Sequence, residues 1–493
     1  MNSYCLSVGE LELDEVLSRR AGALDAGRPE ALARIRALGH RSARERIELL
    51  VDAGSFVEHG LLAAPASGVE GPADGIVTGV ATVHGRPTAV VSYDYSVLGG
   101  TQGVVSHAKL DHILELALRR RWALVVIAEG GGARAQEMAI GNYGRRGMSF
   151  AGLAKLSGLV PLVAIVPGRS FGGHAALAGL CDVVIATRDA VMGIAGPPFV
   201  EAATGLRLSP EELGGVAVHE AQGAVDVVVD DDDEAIDVAR RYVALVSWPD
   251  DRHDVAPSVP PETLRTVIPT SSRVSYDVHE VIDALIDDGS GLELRPTFAA
   301  NVVTVLARIG GRAVGVVANQ SAWLAGALDR DASDKMARFV QLCDVHRVPL
   351  LYLADTPGFL VGPEAEGSAL IRHSSRPILA LAHATVPVML VVLRKAFGLG
   401  YFAMGTRPFD PVLMVAWPTA EFGSMGHRGA SVVSGEDEQK IRDDHSPLTF
   451  AAKFAVDDVI DPAATRGLII ATLGTVPFES FAEPSPTRPL DAW

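Results

Sequence analysis

Cysteine is nearly absent from this sequence. Cys5, Cys181 and Cys343 are the only three in 493 residues, far apart and without a CxxC or histidine-rich pairing. That scarcity argues against a disulfide framework and against a structural zinc site, and no metal is expected. Positive charge is in deficit: 43 Lys and Arg against 60 Asp and Glu leave −17. An acidic chain is a poor ligand for nucleic acid or an anionic membrane surface, so neither is expected as a partner. Long apolar runs are missing as well. Stretches such as Val386–Leu393 fall well short of the roughly 20 residues a bilayer crossing needs. The opening MNSYCLSVGELELDEVLSRR turns acidic at once, without a basic segment followed by an apolar one. No signal peptide is read there, and a cytoplasmic enzyme is the expectation.

What is present is apolar substance and an internal repeat. Hydrophobic residues make up 48% of the chain, enough for large cores. At about 150 residues per domain the length suggests two to four domains. Val160–Gly172 (VPLVAIVPGRSFG) reads like Val386–Gly398 (VPVMLVVLRKAFG), an offset of 226 residues. Upstream the same offset pairs Leu124–Gly132 with Leu350–Gly358, Lys109 with Lys335, Leu98 and Gly100 with Leu324 and Gly326, and Gly85 with Gly311. Beyond the second glycine motif the offset drifts, and Asp182 is set opposite Asp410.

Each copy reads as strand, helix, strand, glycine turn, helix, strand. Ala89–Ser92, Ala123–Ala128 and Leu162–Val166 are apolar runs of strand length. His107–Arg119 has apolar residues at helical spacing, and His174–Leu180 opens another helix. Alternating strands and helices imply an α/β fold with mainly parallel sheets. The acidic run Asp230–Asp233 precedes a helical stretch and suits its N-terminus better than a metal. Residues 248–275, rich in proline, serine and aspartate, read as a linker. The division expected is an N-terminal helical arm and entry at 1–80, a first domain at 81–247, the linker, and a second domain at 276–493.

Two glycine turns per copy follow apolar strands. In copy one they are Gly130-Gly131-Gly132-Ala133-Arg134 and Phe171-Gly172-Gly173-His174; in copy two, Thr356-Pro357-Gly358-Phe359 and Phe397-Gly398-Leu399-Gly400. Glycine lets the backbone N–H approach a ligand closely, and a following helix adds the positive end of its dipole. Two such turns flanking a cleft can aim donors at one oxygen, which is an oxyanion hole. Two holes suit a reaction that forms two oxyanions.

Other motifs compete. Gly168-Arg169-Ser170-Phe171-Gly172 matches GxSxG, which would make Ser170 a hydrolase nucleophile. Its repeat partner is Ala396, so the turn does not exist to present a serine. Ser106 and Lys109 match SxxK, yet Ser106 corresponds to Ala332. Lys109 and Lys335 could contact a phosphate or carboxylate, or could be solvated helix lysines. His174 and His373 could line pockets.

At these residues the chain resembles the carboxyltransferase β subunits of biotin-dependent acyl-CoA carboxylases. The resemblance spans Arg41 to Leu473. It rests on Arg41–Leu50 (RSARERIELL), Asp74–Gly79 (DGIVTG), Gly131–Arg134 with Gln136-Glu137, Asp331–Val340, Pro357–Leu360 (PGFL), Ile371–His373, Arg394–Gly398 (RKAFG) and Ala416–Glu421 (AWPTAE). It implies two tandem crotonase-like domains of the ββα-superhelix kind. The first would hold an acyl-CoA, with Gly172 and Gly173 as catalytic N–H donors to the thioester oxygen. The second would hold carboxybiotin, with Leu399 and Gly400 as catalytic donors to the ureido oxygen. Gly131, Gly132, Ala133, Arg134, His174, Gly358, Phe359, Tyr401 and Phe402 would contact the substrates. The resemblance further implies a site shared between subunits of a homo-oligomer, from dimer to hexamer. It implies that a biotin carboxylase and a biotin carboxyl carrier come from other chains, because no Met-Lys-Met site and no ATP-grasp segment is found. The sequence departs from the family at Glu129-Gly130 (Asp-Ser in the family), at Gly398-Leu399-Gly400-Tyr401 (Gly-Gly-Ala-Tyr) and at Phe402, where acyl specificity is set. A decarboxylase of the malonyl-CoA or methylmalonyl-CoA type on the same fold, a Ser170 hydrolase, and a non-enzymatic scaffold subunit are the alternatives.

Overall fold

The structure, a computed structural model, describes residues 8–140, 149–247, 255–269, 271, 274–476 and 489–491. The chain divides into two compact units, Met1–Val243 and Ala244–Trp493. Among the described residues no helix is long and apolar enough to cross a membrane, and no three His, Cys, Asp or Glu residues are grouped to hold a metal ion.

Unit 1 carries a seven-stranded sheet in the order β1-β2-β3-β4-β5-β7-β9. Its strands are β1 (Val57–His59), β2 (Ile76–Val83), β3 (Arg86–Tyr93), β4 (Ala123–Ile127), β5 (Leu162–Val166), β7 (Val183–Thr187) and β9 (Val227–Val229), with β6 (Arg169–Phe171) and β8 (Val191–Gly193) forming a separate parallel pair. β1, β2 and β3 are antiparallel; from β3 onward every pairing is parallel. β4, β5 and β7 are buried at every residue, as expected of parallel strands covered on both faces. Helix Val104–Arg120 sets Leu110, Ile113, Leu114 and Ala117 onto that sheet.

Unit 2 repeats the plan in the order β10-β11-β12-β13-β14-β15-β17. Here β10 is Leu292–Glu293, β11 Val302–Ile309, β12 Arg312–Asn319, β13 Leu350–Thr356, β14 Val388–Phe397, β15 Leu413–Ala416, β16 Glu421–Gly423 and β17 Asp458–Val459. Both ends of β2 and β11 stand 226 apart, so the repeat reaches further upstream than the similar residues do. β14 fuses the equivalents of β5 and β6 and pairs with β16. Leu264 and Ile268, from the stretch expected to be a linker, are buried in the core of this unit with Val316, Leu353, Val391 and Trp417.

One expected pairing is corrected. Asp182 N–H donates to Leu162 O at 2.9 Å, and Val412 N–H to Val388 O at 2.8 Å. Val412, not Asp410, is therefore the counterpart of Asp182. The offset becomes 230 because unit 2 has four more residues between its glycine turn and β15.

Both proposed roles of the equivalent lysines are also corrected. Lys109 is buried and its Nζ donates to the carbonyls of Gly60 (3.1 Å), Ala73 (2.9 Å) and Ile76 (2.5 Å). Lys335 is buried too, and donates to Arg295 (2.8 Å), Phe298 (2.9 Å), Ala299 (3.5 Å) and Val302 (2.6 Å). Ala73 and Ala299 both have positive φ (52° and 47°), and that turn brings the carbonyls together. Each amine closes a turn that would otherwise bury unpaired acceptors.

Candidate active site

In unit 1 three turns meet at the ends of β3, β4 and β6. The first contains Leu98, Gly99 and Gly100, all left-handed (φ 52°, 60° and 62°). The second is Glu129–Arg134, the third Phe171–His174. Gly131 N–H donates to Gly99 O (3.1 Å), Gln102 N–H to Gly132 O (2.8 Å) and Arg134 N–H to Gln102 O (2.7 Å). Gly130 N–H donates to Arg169 O (2.6 Å) and Phe171 N–H to Gly130 O (3.1 Å). Glycine is required where these backbones touch: a Cβ on Gly100 would collide with Glu129 O, and one on Gly173 with the amide of Gln102.

Most amides of the three turns are used up in this network. Gly172 was expected to be a donor, but its N–H goes to Gly193 O at 2.9 Å, extending the β6–β8 pairing by one residue. Gly173, His174 and Ala133 N–H groups have no acceptor among the described residues. Gly173 opens helix Gly173–Gly179, whose first amides lack an intrahelical partner.

Unit 2 reproduces this. Leu324, Ala325 and Gly326 are left-handed (φ 48°, 54° and 80°). Leu328 N–H donates to Gly358 O (3.0 Å) and Leu360 N–H to Leu328 O (2.9 Å). Phe359, Leu399 and Gly400 have N–H groups without an acceptor among the described residues. The turn's positive φ falls on Gly398 (59°), the counterpart of Gly172 (60°); Leu399 has none. A side chain at 399 is thus compatible with a backbone donor, and that of Leu399 is 69% exposed.

Several expected contact residues point inward. His174 is fully buried. Its Nε2 lies 3.0 Å from Gly100 O, its Nδ1 lies 3.3 Å from both Gly132 N and Phe171 O, and its ring meets Tyr93 edge-on at 4.3 Å. Burial pushes its pKa down to about 4, so the ring is neutral. With Nε2–H donating to Gly100 O, Nδ1 is free to accept. The Arg134 guanidinium is buried against the carboxylates of Asp74 and Glu137. Those carboxylates in turn accept Ser106 N–H and Val104 N–H, holding the helix start. Gly131 and Ala133 are exposed beside it, while Gly132 and Gly358 are buried. Phe359 is half-buried in the second turn of unit 2. Tyr401 packs edge-on to Phe422 (5.8 Å), and Phe402 edge-on to Phe409 (5.0 Å). His373 Nδ1 is 2.9 Å from the buried Asp334, which Arg376 also binds at 2.5 Å.

The departure at position 129 has a local explanation. The Glu129 carboxylate is buried against Arg46, which also binds Asp232 at 2.8 Å. Asp232 begins helix Asp232–Ser247, so the acidic run pairs with arginine there. In unit 2 the equivalent Asp355 binds Arg394 at 2.9 Å, and Arg394 lies 5.0 Å over the Tyr276 ring.

The rival nucleophile is not assembled. Ser170 is fully buried within β6, and its Oγ has no hydrogen-bond partner among the described residues. Ser106 Oγ accepts Gly103 N–H at 2.7 Å and serves as a helix cap. Two site residues escaped notice in the sequence. Gln102, beneath Gly173, corresponds to Leu328, so the repeat gave no flag. Thr356 Oγ1, which accepts Gly358 N–H at 3.1 Å, corresponds to Gly130.

The carboxyl transferase domain matches residues 35–476. The methylmalonyl-CoA carboxyltransferase 12S subunit of Propionibacterium freudenreichii subsp. shermanii is 38% identical over 484 residues, covering 92% of this chain and 90% of its own. The biotin-dependent acetyl-/propionyl-coenzyme A carboxylase beta5 subunit of Mycobacterium tuberculosis is 36% identical over 502 residues, covering 93% and 91%. The solved structure of a single-chain, multi-domain long-chain acyl-CoA carboxylase superposes with a TM-score of 0.88 at 41% identity over 94% of this chain. This chain spans 48% of that longer one.

Proposed function

The chain belongs to the carboxyl transferase domain family, and on that premise we propose that it carries a carboxyl group from carboxybiotin on a separate carrier chain to the α-carbon of an acyl-CoA. Biotin carboxylase and biotin carboxyl carrier subunits are the partners this reading calls for, and a homo-oligomer is the assembly. The observation that carries it is the doubled donor geometry: Ala133 and Gly173 in one unit, Phe359 and Leu399 in the other, each pair 226 residues from its counterpart and free of acceptors among the described residues.

In unit 1, Gly173 and Ala133 N–H hold the thioester oxygen as charge builds on it during α-proton loss. Donors already fixed in place need no reorganisation when that charge appears. Gln102, wedged under Gly173 and bonded to the Tyr93 hydroxyl at 3.0 Å, keeps the turn from relaxing. In unit 2, the amides of Leu399 and Gly400, with Phe359 beside them, suit a ureido oxygen. Carboxybiotin, when bound, supplies carbon dioxide and a basic ureido nitrogen. No side chain of the three turns in unit 1 is arranged as a base: His174 is sealed and Glu129 is buried against Arg46.

The test is loss of carboxylate from malonyl-CoA and methylmalonyl-CoA by the pure protein, with and without free biotin. Loss that requires biotin supports the transferase. Loss without biotin replaces it with a decarboxylase on the same fold.

A further inference from the structure

The two units cap the same amide in different ways. In unit 1 Gly132 N–H donates to His174 Nδ1 at 3.3 Å. In unit 2 the equivalent Gly358 N–H donates to Thr356 Oγ1 at 3.1 Å. Position 130 in unit 1, matching Thr356, is glycine, and a Cβ there would sit 2.5 Å from the His174 ring and 2.6 Å from Gly100 O. Position 400 in unit 2, matching His174, is glycine, and a Cβ there would lie 2.6 Å from Gly358 Cα. Each unit therefore fills one of the two places and empties the other. In unit 2 the Gly358–Phe359 backbone takes the space that a Cβ at position 400 would need.

His174 directly follows Gly173. Its ring ties the third turn to the first through Gly100 O and to the second through Gly132 N–H. The Gly173 peptide is thereby oriented by a side chain that faces away from the cleft. We propose that His174 is a positioning residue for the Gly173 donor, and that the His174–Gly130 pair and the Thr356–Gly400 pair are interchangeable as pairs but not as single residues. This rests on the reading of Gly173 as the thioester-oxygen donor.

The test transplants the unit 2 solution into unit 1. His174→Gly, Gly130→Thr and the double variant are made in the full chain. Release of carboxylate from methylmalonyl-CoA with free biotin gives kcat and KM. Hydrogen exchange of the peptides covering 129–134 and 171–177 gives a readout independent of turnover. His174→Gly is expected to lower kcat about 10²-fold, the scale of losing one oxyanion donor, with KM changed less than about threefold, and to lose protection at Gly132. Gly130→Thr alone fails to fold or is as impaired, because its Cβ meets the histidine ring and Gly100 O. The double variant, in which only the Gly100 O contact remains, regains protection and part of the lost kcat. Full kcat in His174→Gly overturns the proposal, as does a folded double variant no better than His174→Gly. If the unaltered protein releases no carboxylate at all, the transferase reading fails separately. Exchange then decides: protection lost in His174→Gly and regained in the double variant supports the pairing, and unchanged protection overturns it.

Discussion

Gly172 and Gly398, 226 residues apart, adopt φ values of 60° and 59°. Each precedes an amide without an acceptor among the described residues. In unit 2 the left-handed turn, rather than the residue bearing the donor, is therefore what must be glycine. Gly398→Ala meets the strain of a left-handed alanine, about 1–2 kcal/mol, and places a Cβ 3.0 Å from Ser424 O. It should impair biotin-dependent carboxyl loss severalfold or more. Leu399→Gly should leave kcat within about threefold, since the donor belongs to the backbone. Steady-state kinetics at varied biotin separates the two, and a larger effect at 399 than at 398 would contradict the assignment.

Ser170→Ala should retain full activity. Its hydroxyl is buried without a partner, and removing such a group is neutral or mildly stabilising. Turnover and urea midpoint check both halves of the claim; a loss of activity would revive the hydrolase alternative.

Phe402→Ala should broaden the acyl range. The ring packs on Phe409, and losing an aromatic pair costs about 0.5–1.5 kcal/mol beyond its buried area. Relative kcat/KM should rise for larger acyl-CoA esters. Phe409→Ala, which frees the Phe402 ring without deleting it, should move the profile less. An unmoved profile in Phe402→Ala would mean the ring lies outside the acyl pocket.

Lys335 makes stability depend on pH in a definite direction. Burial pushes its amine down to about 7, and that of Lys109 to about 8, from an ordinary 10.5. Between those values the unfolded chain holds the proton and the folded chain does not, its neutral amine keeping two N–H donors for the turn carbonyls. The contribution of such a group therefore rises with pH across that window and is least below it. The stability advantage of the unaltered protein over Lys335→Met should grow from pH 7 to pH 10 in urea titrations. A shrinking difference would show the amine to be charged when folded.

The repeat was legible because close backbone contact demands glycine at Gly100 and Gly326, and a positive φ favours it at Gly132 and Gly358, Gly172 and Gly398. Where the same conformation is borne by other residues the sequence is silent. Leu98 and Leu324, Arg121 and Arg347, Ala73 and Ala299 are all left-handed pairs, and none looks exceptional in one dimension. The parallel strands were readable from their unbroken apolar runs. His174 was misjudged as a pocket residue because its partners are main-chain atoms of Gly100 and Gly132, 74 and 42 positions away. The lysines were misjudged because helical spacing says where a side chain departs, not which carbonyls a distant turn has collected for it. Gly172 was taken as a donor because nothing in its motif reveals that Gly193 claims the amide.

The chain contains six lysines. Lys109, Lys335 and Lys395 end on main-chain carbonyls inside the units, while Lys155, Lys440 and Lys453 are exposed. An amine-reactive label therefore has three lysine targets on the native protein and six on the denatured one. Labelling stoichiometry becomes an internal gauge of folding, and because the protected amines are divided between the units, peptide mapping reports the opening of each one separately.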